Sequence, residues 1–174
     1  DYADSRSGAD WQDRNFYRFF GGSKLIQENV FSERFYLWLA VFFAVISGLS
    51  VILLAVDFNN ASVLFWYLVI ILAGWQYSAK PLQFSYHCLG EPVIFLLFGP
   101  ALVAGGYFIQ AGLLAAADTL LLSLPFGFLT TAILFANEIP DAGDDIKAGK
   151  FTWVSFSGTK RAFLLYYLLV LFAF

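Results

Sequence analysis

Apolar residues come in long uninterrupted stretches separated by short polar connectors, and this pattern predicts membrane-spanning helices. Four runs approach the roughly 20 residues needed to cross a hydrocarbon core about 30 Å thick: Phe35–Val56, Ala61–Tyr77, Pro92–Leu114 and Thr119–Ala136. A fifth begins near Ala162 and reaches Phe174, too short for a full crossing, so the chain is expected to be incomplete at both ends of a single transmembrane domain covering 1–174. In lipid every backbone N–H and C=O must be paired within its own segment, and the alternating ten-residue strands of a barrel are absent from the pattern. The expected fold is therefore all-α, a polytopic transmembrane helix bundle. Pro100 and Pro125 fall inside spans and predict kinks or breaks, while Gly105 and Gly106 predict a close helix approach.

Composition agrees with a lipid solvent: 60% of residues are hydrophobic and 13% charged, where soluble domains are about half apolar and a quarter charged. A net charge of -3 offers no electrostatic footprint for nucleic acid. The single cysteine, Cys88, excludes an intrachain disulfide. The distribution of the ten basic residues is more telling. Arg6, Arg14, Arg18, Lys24 and Arg34 precede the first span, Lys80 lies between the second and third, and Lys147, Lys150, Lys160 and Arg161 lie in the loop 137–161. The alternate connectors, 57–60 and 110–118, have none. The positive-inside rule then places the three longer polar segments together on the cytoplasmic side of a bacterial cell membrane, or on the equivalent side of an organellar one.

Two aspartate clusters occupy that side. Asp1 and Asp4 are three residues apart, on one face of any helix that includes them. Asp10 is half a turn out of phase and can join them only through a bend, which Gly8 permits. In the second cluster, Asn137-Glu-Ile-Pro140-Asp141-Ala-Gly-Asp144-Asp145, Asp141 and Asp145 are four apart and project together. Carboxylates this close repel unless a cation intervenes, and hard oxygen donors in small number suit Mg²⁺ shared with substrate phosphates. A solvated acidic loop is the ordinary reading of any one such pair. Here the second pair stands at the mouth of a span, and each cluster is followed by cations, Arg18 and Lys24 or Lys147 and Lys150, able to meet phosphate oxygens.

With those residues in view, the chain resembles the UbiA superfamily of intramembrane prenyltransferases. Asp1-Tyr-Ala-Asp4 with Ser7-Gly8-Ala-Asp10, then Phe20-Gly-Gly-Ser23-Lys24-Leu-Ile-Gln27-Glu28, is similar to the first aspartate motif and the loop after it. Tyr77-Ser-Ala-Lys80-Pro81 with Tyr86-His87-Cys88-Leu89-Gly90-Glu91, and Asn137 to Asp145 with Lys147-Ala-Gly149-Lys150, resemble the middle and second aspartate motifs. The Gly-Gly-Ser and Leu-Gly-Glu elements look most like the branch that prenylates 1,4-dihydroxy-2-naphthoate on the way to menaquinone or phylloquinone. The resemblance implies a nine-helix bundle of which this chain holds a central part, and a Mg²⁺-dependent transfer of a polyprenyl group from an allylic diphosphate to an aromatic acceptor. It implies catalytic metal ligands at Asp1 and Asp4 for one ion and at Asp141 and Asp145 for the other, with Asn137 supporting the second site. Lys80, with Arg18 or Lys24, would hold the diphosphate; Asp10 falls with the substrate-binding residues, and Tyr77 and Tyr86 would offer π faces to an allyl cation. The chain departs from the branch at His87-Cys88, where Arg-Gly is usual, and at Glu138 and Pro140, where Asn and Arg are frequent.

Three other readings remain open on the sequence. A UbiA-like subunit could act as a non-catalytic scaffold for membrane-complex partners. The acceptor could be a different aromatic or lipid molecule, since an imidazole at His87 lacks the bidentate grip of a guanidinium. An ion-coupled transporter is disfavoured because the four complete spans, as bounded above, contain no Asp, Glu, Lys, Arg or His.

Overall fold

A computed structural model of the chain describes residues 25–26 and 28–174. The expectations for Asp1, Asp4, Asp10, Arg18 and Lys24 fall outside the described residues. Within them the fold is helical throughout, with α1 at Glu33–Asp57, α2 at Ser62–Ser78, α3 at Gly90–Ala111, α4 at Ala117–Lys147, α5 at Trp153–Ser157 and α6 at Thr159–Phe172. α1, α3 and α4 are long and apolar enough to cross a membrane, and α2 is a shorter apolar helix.

α1 starts where Ser32, in an extended conformation, accepts the Phe35 N–H at 3.2 Å, a side-chain cap on one of the free donors of the first turn. It ends in a tight connector in which Asn59 takes a left-handed φ of 47° and the Asn60 side chain accepts from both the Ser62 backbone (3.0 Å) and its hydroxyl (2.7 Å), launching α2. The two helices are pinned midway by the Tyr67 hydroxyl, which donates to the Ala44 carbonyl at 2.7 Å and lies 3.0 Å from Ser47 Oγ. Neither helix buries a residue within the described structure, as expected of surfaces solvated by lipid.

α3 and α4 are held differently. Around Pro100 the third span widens into a π-helical turn, Leu97–Ala101, which accommodates the missing N–H without ending the helix. Pro125 and Pro140 lie inside α4, which continues through both, so neither ends the helix. Close approach is made by Gly99 and Gly127. A Cβ on Gly99 would meet the Gly127 Cα at 2.9 Å and the Ser123 carbonyl at 3.1 Å, and one on Gly127 would meet the Phe95 ring at 2.8 Å and the Phe95 carbonyl at 2.9 Å. By contrast, no described residue lies within 4 Å of a Cβ on Gly105 or Gly106. Among the described residues the close contact between small residues is the one at the π-turn.

The segment expected as a long polar loop, 137–161, is helical up to Lys147. Its buried positions continue those of the span at intervals of three and four (Ser123, Gly127, Thr131, Phe135, Glu138, Ala142, Asp145), so one face remains packed after the apolar composition has ended. At about 1.5 Å per residue, 31 residues reach roughly 46 Å, well beyond a 30 Å core, so one end of α4 stands clear of the hydrocarbon. There Phe135, Ala142, Val154 and Ala162 form a small core, joined by Ile139, Leu165, Tyr166 and Leu169, that locks α4 to α5 and α6.

Candidate functional site

The extension of α4 carries a row of carboxyl groups. Glu138 is 5% exposed, Asp145 6%, and Asp141, between them on the same side, is partly exposed. The continuous helix brings Asp141 and Asp145 together as their spacing predicts. Lys150 closes over one end of the row, its Nζ 3.2 Å from Asp145 Oδ2 and 3.3 Å from Oδ1, and its backbone N–H donates to the Asp145 carbonyl at 2.8 Å. Lys147 lies on the outer side, paired with Asp144 at 2.6 Å.

A second layer comes from the α2–α3 connection, which contains a cis Lys80–Pro81 bond and a short 3-10 turn, Phe84–Tyr86. This segment is zipped to the chain leaving α4. The Cys88 N–H donates to the Phe151 carbonyl at 2.7 Å, the Phe151 N–H donates to the Tyr86 carbonyl at 3.1 Å, and the Trp153 indole N–H donates to the Cys88 carbonyl at 3.0 Å. Two of the three basic polar segments are thereby joined at one end of the bundle.

Glu91, in the first turn of α3 and 1% exposed, sits beneath this zipper. Its Oε1 accepts the Trp153 backbone N–H at 2.6 Å. Its side chain also hydrogen-bonds to that of Glu138. A bond between two carboxyl groups requires that the pair share one proton. Glu138 Oε2 has no hydrogen-bond partner among the described residues. Nearby, burial and then the charge of Glu91 push the Cys88 thiol up from its ordinary range.

The residues nominated from sequence divide accordingly. Asp141 and Asp145 share the carboxyl row, with Lys150 beside them. Asn137 is exposed, one position away from the buried line of α4, and does not join the packed side. Lys80 is exposed on the connecting loop. Tyr86 is buried at 5% beneath the zipper, and the Tyr77 hydroxyl approaches Gly90, within 3.3 Å of where a Cβ would stand. Both tyrosines therefore line the base of the loop. His87 is exposed, with Nδ1 3.0 Å from the Gln83 carbonyl.

Sequence reasoning missed the Glu91–Glu138 pair. Its signal was present: each is a carboxylate one or two residues outside an apolar run, a position where an isolated charge is expensive unless paired.

As to metal, no group of three or more His, Cys, Asp or Glu among the described residues is arranged to hold an ion. Asp141 and Asp145 nevertheless fit Mg²⁺ by donor chemistry, because that ion takes one or two carboxylates and completes its shell with water and phosphate oxygens.

Comparison with known proteins adds an independent line. The profile of the UbiA prenyltransferase family matches residues 29–174. A 1,4-dihydroxy-2-naphthoate octaprenyltransferase of Haemophilus influenzae is 28% identical over 87% of this chain and 49% of its own length. A 2-carboxy-1,4-naphthoquinone phytyltransferase of Synechocystis is 33% identical over 53% of this chain and 30% of its own. A UbiA prenyltransferase domain-containing protein 1 of Xenopus tropicalis is 38% identical over 50% and 25% respectively. The chain thus spans at most about half the length of these relatives. No solved structure matches it significantly.

Proposed function

The chain belongs to the UbiA prenyltransferase family, and from that premise we propose that the protein containing these helices transfers a polyprenyl group from an allylic diphosphate to an aromatic acceptor of the 1,4-dihydroxy-2-naphthoate type. The observation that carries the proposal is the carboxyl row at the emergent end of α4, with Asp141 and Asp145 one turn apart and Lys150 against them. The relatives named for naphthoate and naphthoquinone prenyl transfer support the choice of acceptor.

In the reaction the carbon–oxygen bond of the allylic diphosphate breaks, the electron pair leaves with the diphosphate, an acceptor carbon bonds to the allylic carbon, and that acceptor carbon then releases the proton, or the carboxyl group as CO2, that it carried, which restores the aromatic ring. Mg²⁺ held by Asp141 and Asp145, and by Asp1 and Asp4 for a second ion, would neutralise charge developing on the leaving group. The chain's own residues do the remaining work. Lys150, a flexible ammonium held at Asp145, is in place to meet a phosphate oxygen. Lys80, exposed on the joined loop, adds a second cation on the same side, and Arg18 or Lys24 a third. Tyr77 and Tyr86 at the base of the loop supply aromatic faces that favour an allyl cation and exclude water. Asp10 and Asn137 complete the polar contacts to substrate. The site faces the cytoplasm or its organellar equivalent, the side marked by the basic residues.

The test is to incubate the full-length protein in membranes with Mg²⁺, an all-trans polyprenyl diphosphate and competing aromatic acceptors, and to identify the products by mass spectrometry. Prenylated 1,4-dihydroxy-2-naphthoate is expected, and Asp141→Ala should abolish it while the protein remains folded in membranes. Preference for 4-hydroxybenzoate would overturn the choice of acceptor. Wild-type turnover in Asp141→Ala would overturn the metal role.

A further inference from the structure

Glu91 is the most deeply buried ionisable side chain among the described residues that the reaction above does not use, and it touches three separate pieces of the site. It belongs to the first turn of α3. It accepts the Trp153 N–H across 62 positions of sequence, and it shares a hydrogen bond with Glu138 on α4. Trp153 is the first residue of α5, where a backbone N–H has no partner within its own helix, so Glu91 satisfies a donor that would otherwise be orphaned. Three residues before Trp153 stands Lys150, the cation held against Asp145. The chain between them is short and already paired through Phe151 to Tyr86 and Cys88. Any shift of Trp153 away from α3 must therefore carry Lys150 with it.

We infer that Glu91 is a positioning residue for Lys150: with the Glu138 side chain beside it on α4, it fixes the register of the 150–153 segment against α4 and so sets the ammonium beside the second aspartate pair. The inference rests on the function proposed above only for its kinetic consequence. The mechanical part stands on the hydrogen bonds. Sharing one proton with Glu91 also lowers the charge that Glu138 brings beside a membrane span.

Two readouts test it in the full-length protein. The first is hydrogen exchange of the backbone amides of Cys88, Phe151 and Trp153. Glu91→Ala should speed exchange at all three by about tenfold or more, because opening one bond frees the zipper, whereas Glu91→Gln, which keeps an oxygen acceptor for Trp153, should leave Cys88 and Phe151 protected. Glu138→Gln should behave as wild type, since its amide can donate to Glu91, and Glu138→Ala should not. The second is a double-mutant cycle on the KM for polyprenyl diphosphate. Glu91→Ala should raise it about tenfold with the acceptor KM unchanged, and should add nothing in a Lys150→Ala background. Exchange confined to Trp153, or additive losses in the cycle, would overturn the inference. If wild-type protein transfers no prenyl group to any acceptor while Glu91→Ala still opens all three amides, the positioning role stands and the proposed function falls.

Discussion

The contact between Gly99 and Gly127 makes a stability prediction that separates two glycine pairs indistinguishable by composition. Replacing Gly99 by Ala puts a methyl group 2.9 Å from the Gly127 Cα, 3.0 Å from its nitrogen and 3.1 Å from the Ser123 carbonyl, all backbone atoms that cannot rotate away. The helices must separate at the π-turn, and overpacking of this kind costs about 1–3 kcal/mol. Gly105→Ala, six residues further along α3, meets nothing within 4 Å among the described residues. In a membrane the unfolded reference retains most of its helix, so the modest gain in helix propensity from Gly to Ala largely cancels in both variants. The difference between them should thus be close to the packing cost, and about 2 kcal/mol is roughly a 30-fold shift in the ratio of folded to unfolded protein. Reversible unfolding of the full-length protein in mixed micelles titrated with SDS, followed by circular dichroism, measures it. Gly99→Ala should unfold at clearly lower SDS than wild type, and Gly105→Ala at the wild-type midpoint. Equal midpoints for the two variants, or a loss at Gly105, would refute the assignment of the close contact to the π-turn.

Two further outcomes are expected. Single cysteines at Asn59 and Ala148, in a Cys88→Ser background, should label from opposite sides of the membrane, since the α1–α2 connector and the end of α4 lie at opposite ends of the bundle; labelling of both from one side would reject the topology. Native Cys88 should alkylate slowly near neutral pH, because burial and the Glu91 charge favour its protonated form, and its rate should keep rising above the ordinary thiol range near 9.0. Glu91→Gln, which removes that charge, should shift the rate profile to lower pH, and an unchanged profile would exclude the electrostatic contribution.

The sequence by itself determined the class of fold and the end of the bundle that carries charge. Apolar runs of membrane length permit only helices, because lipid offers no partner for a free backbone group, and basic residues confined to alternate connectors give the orientation expected for them. The i, i+4 spacing of Asp141 and Asp145 was equally legible, since it depends only on local helix geometry, and membership of the family followed from residue order. Tertiary structure decided what depends on contacts distant in sequence. The pairing of Glu91 with Glu138 and of Glu91 with Trp153 joins positions separated by 47 and 62 residues, and no local pattern specifies which of several carboxyl groups will share a proton. The continuation of α4 through Pro140 was hidden because proline and charge both read as the end of a span, whereas packing of Ala142 against Val154 and Ala162 keeps the helix intact. The choice of Gly99 and Gly127 over Gly105 and Gly106 rests on the same cause. A glycine permits close approach anywhere, but only the rotation and separation of two packed helices determine which glycine faces the neighbouring backbone.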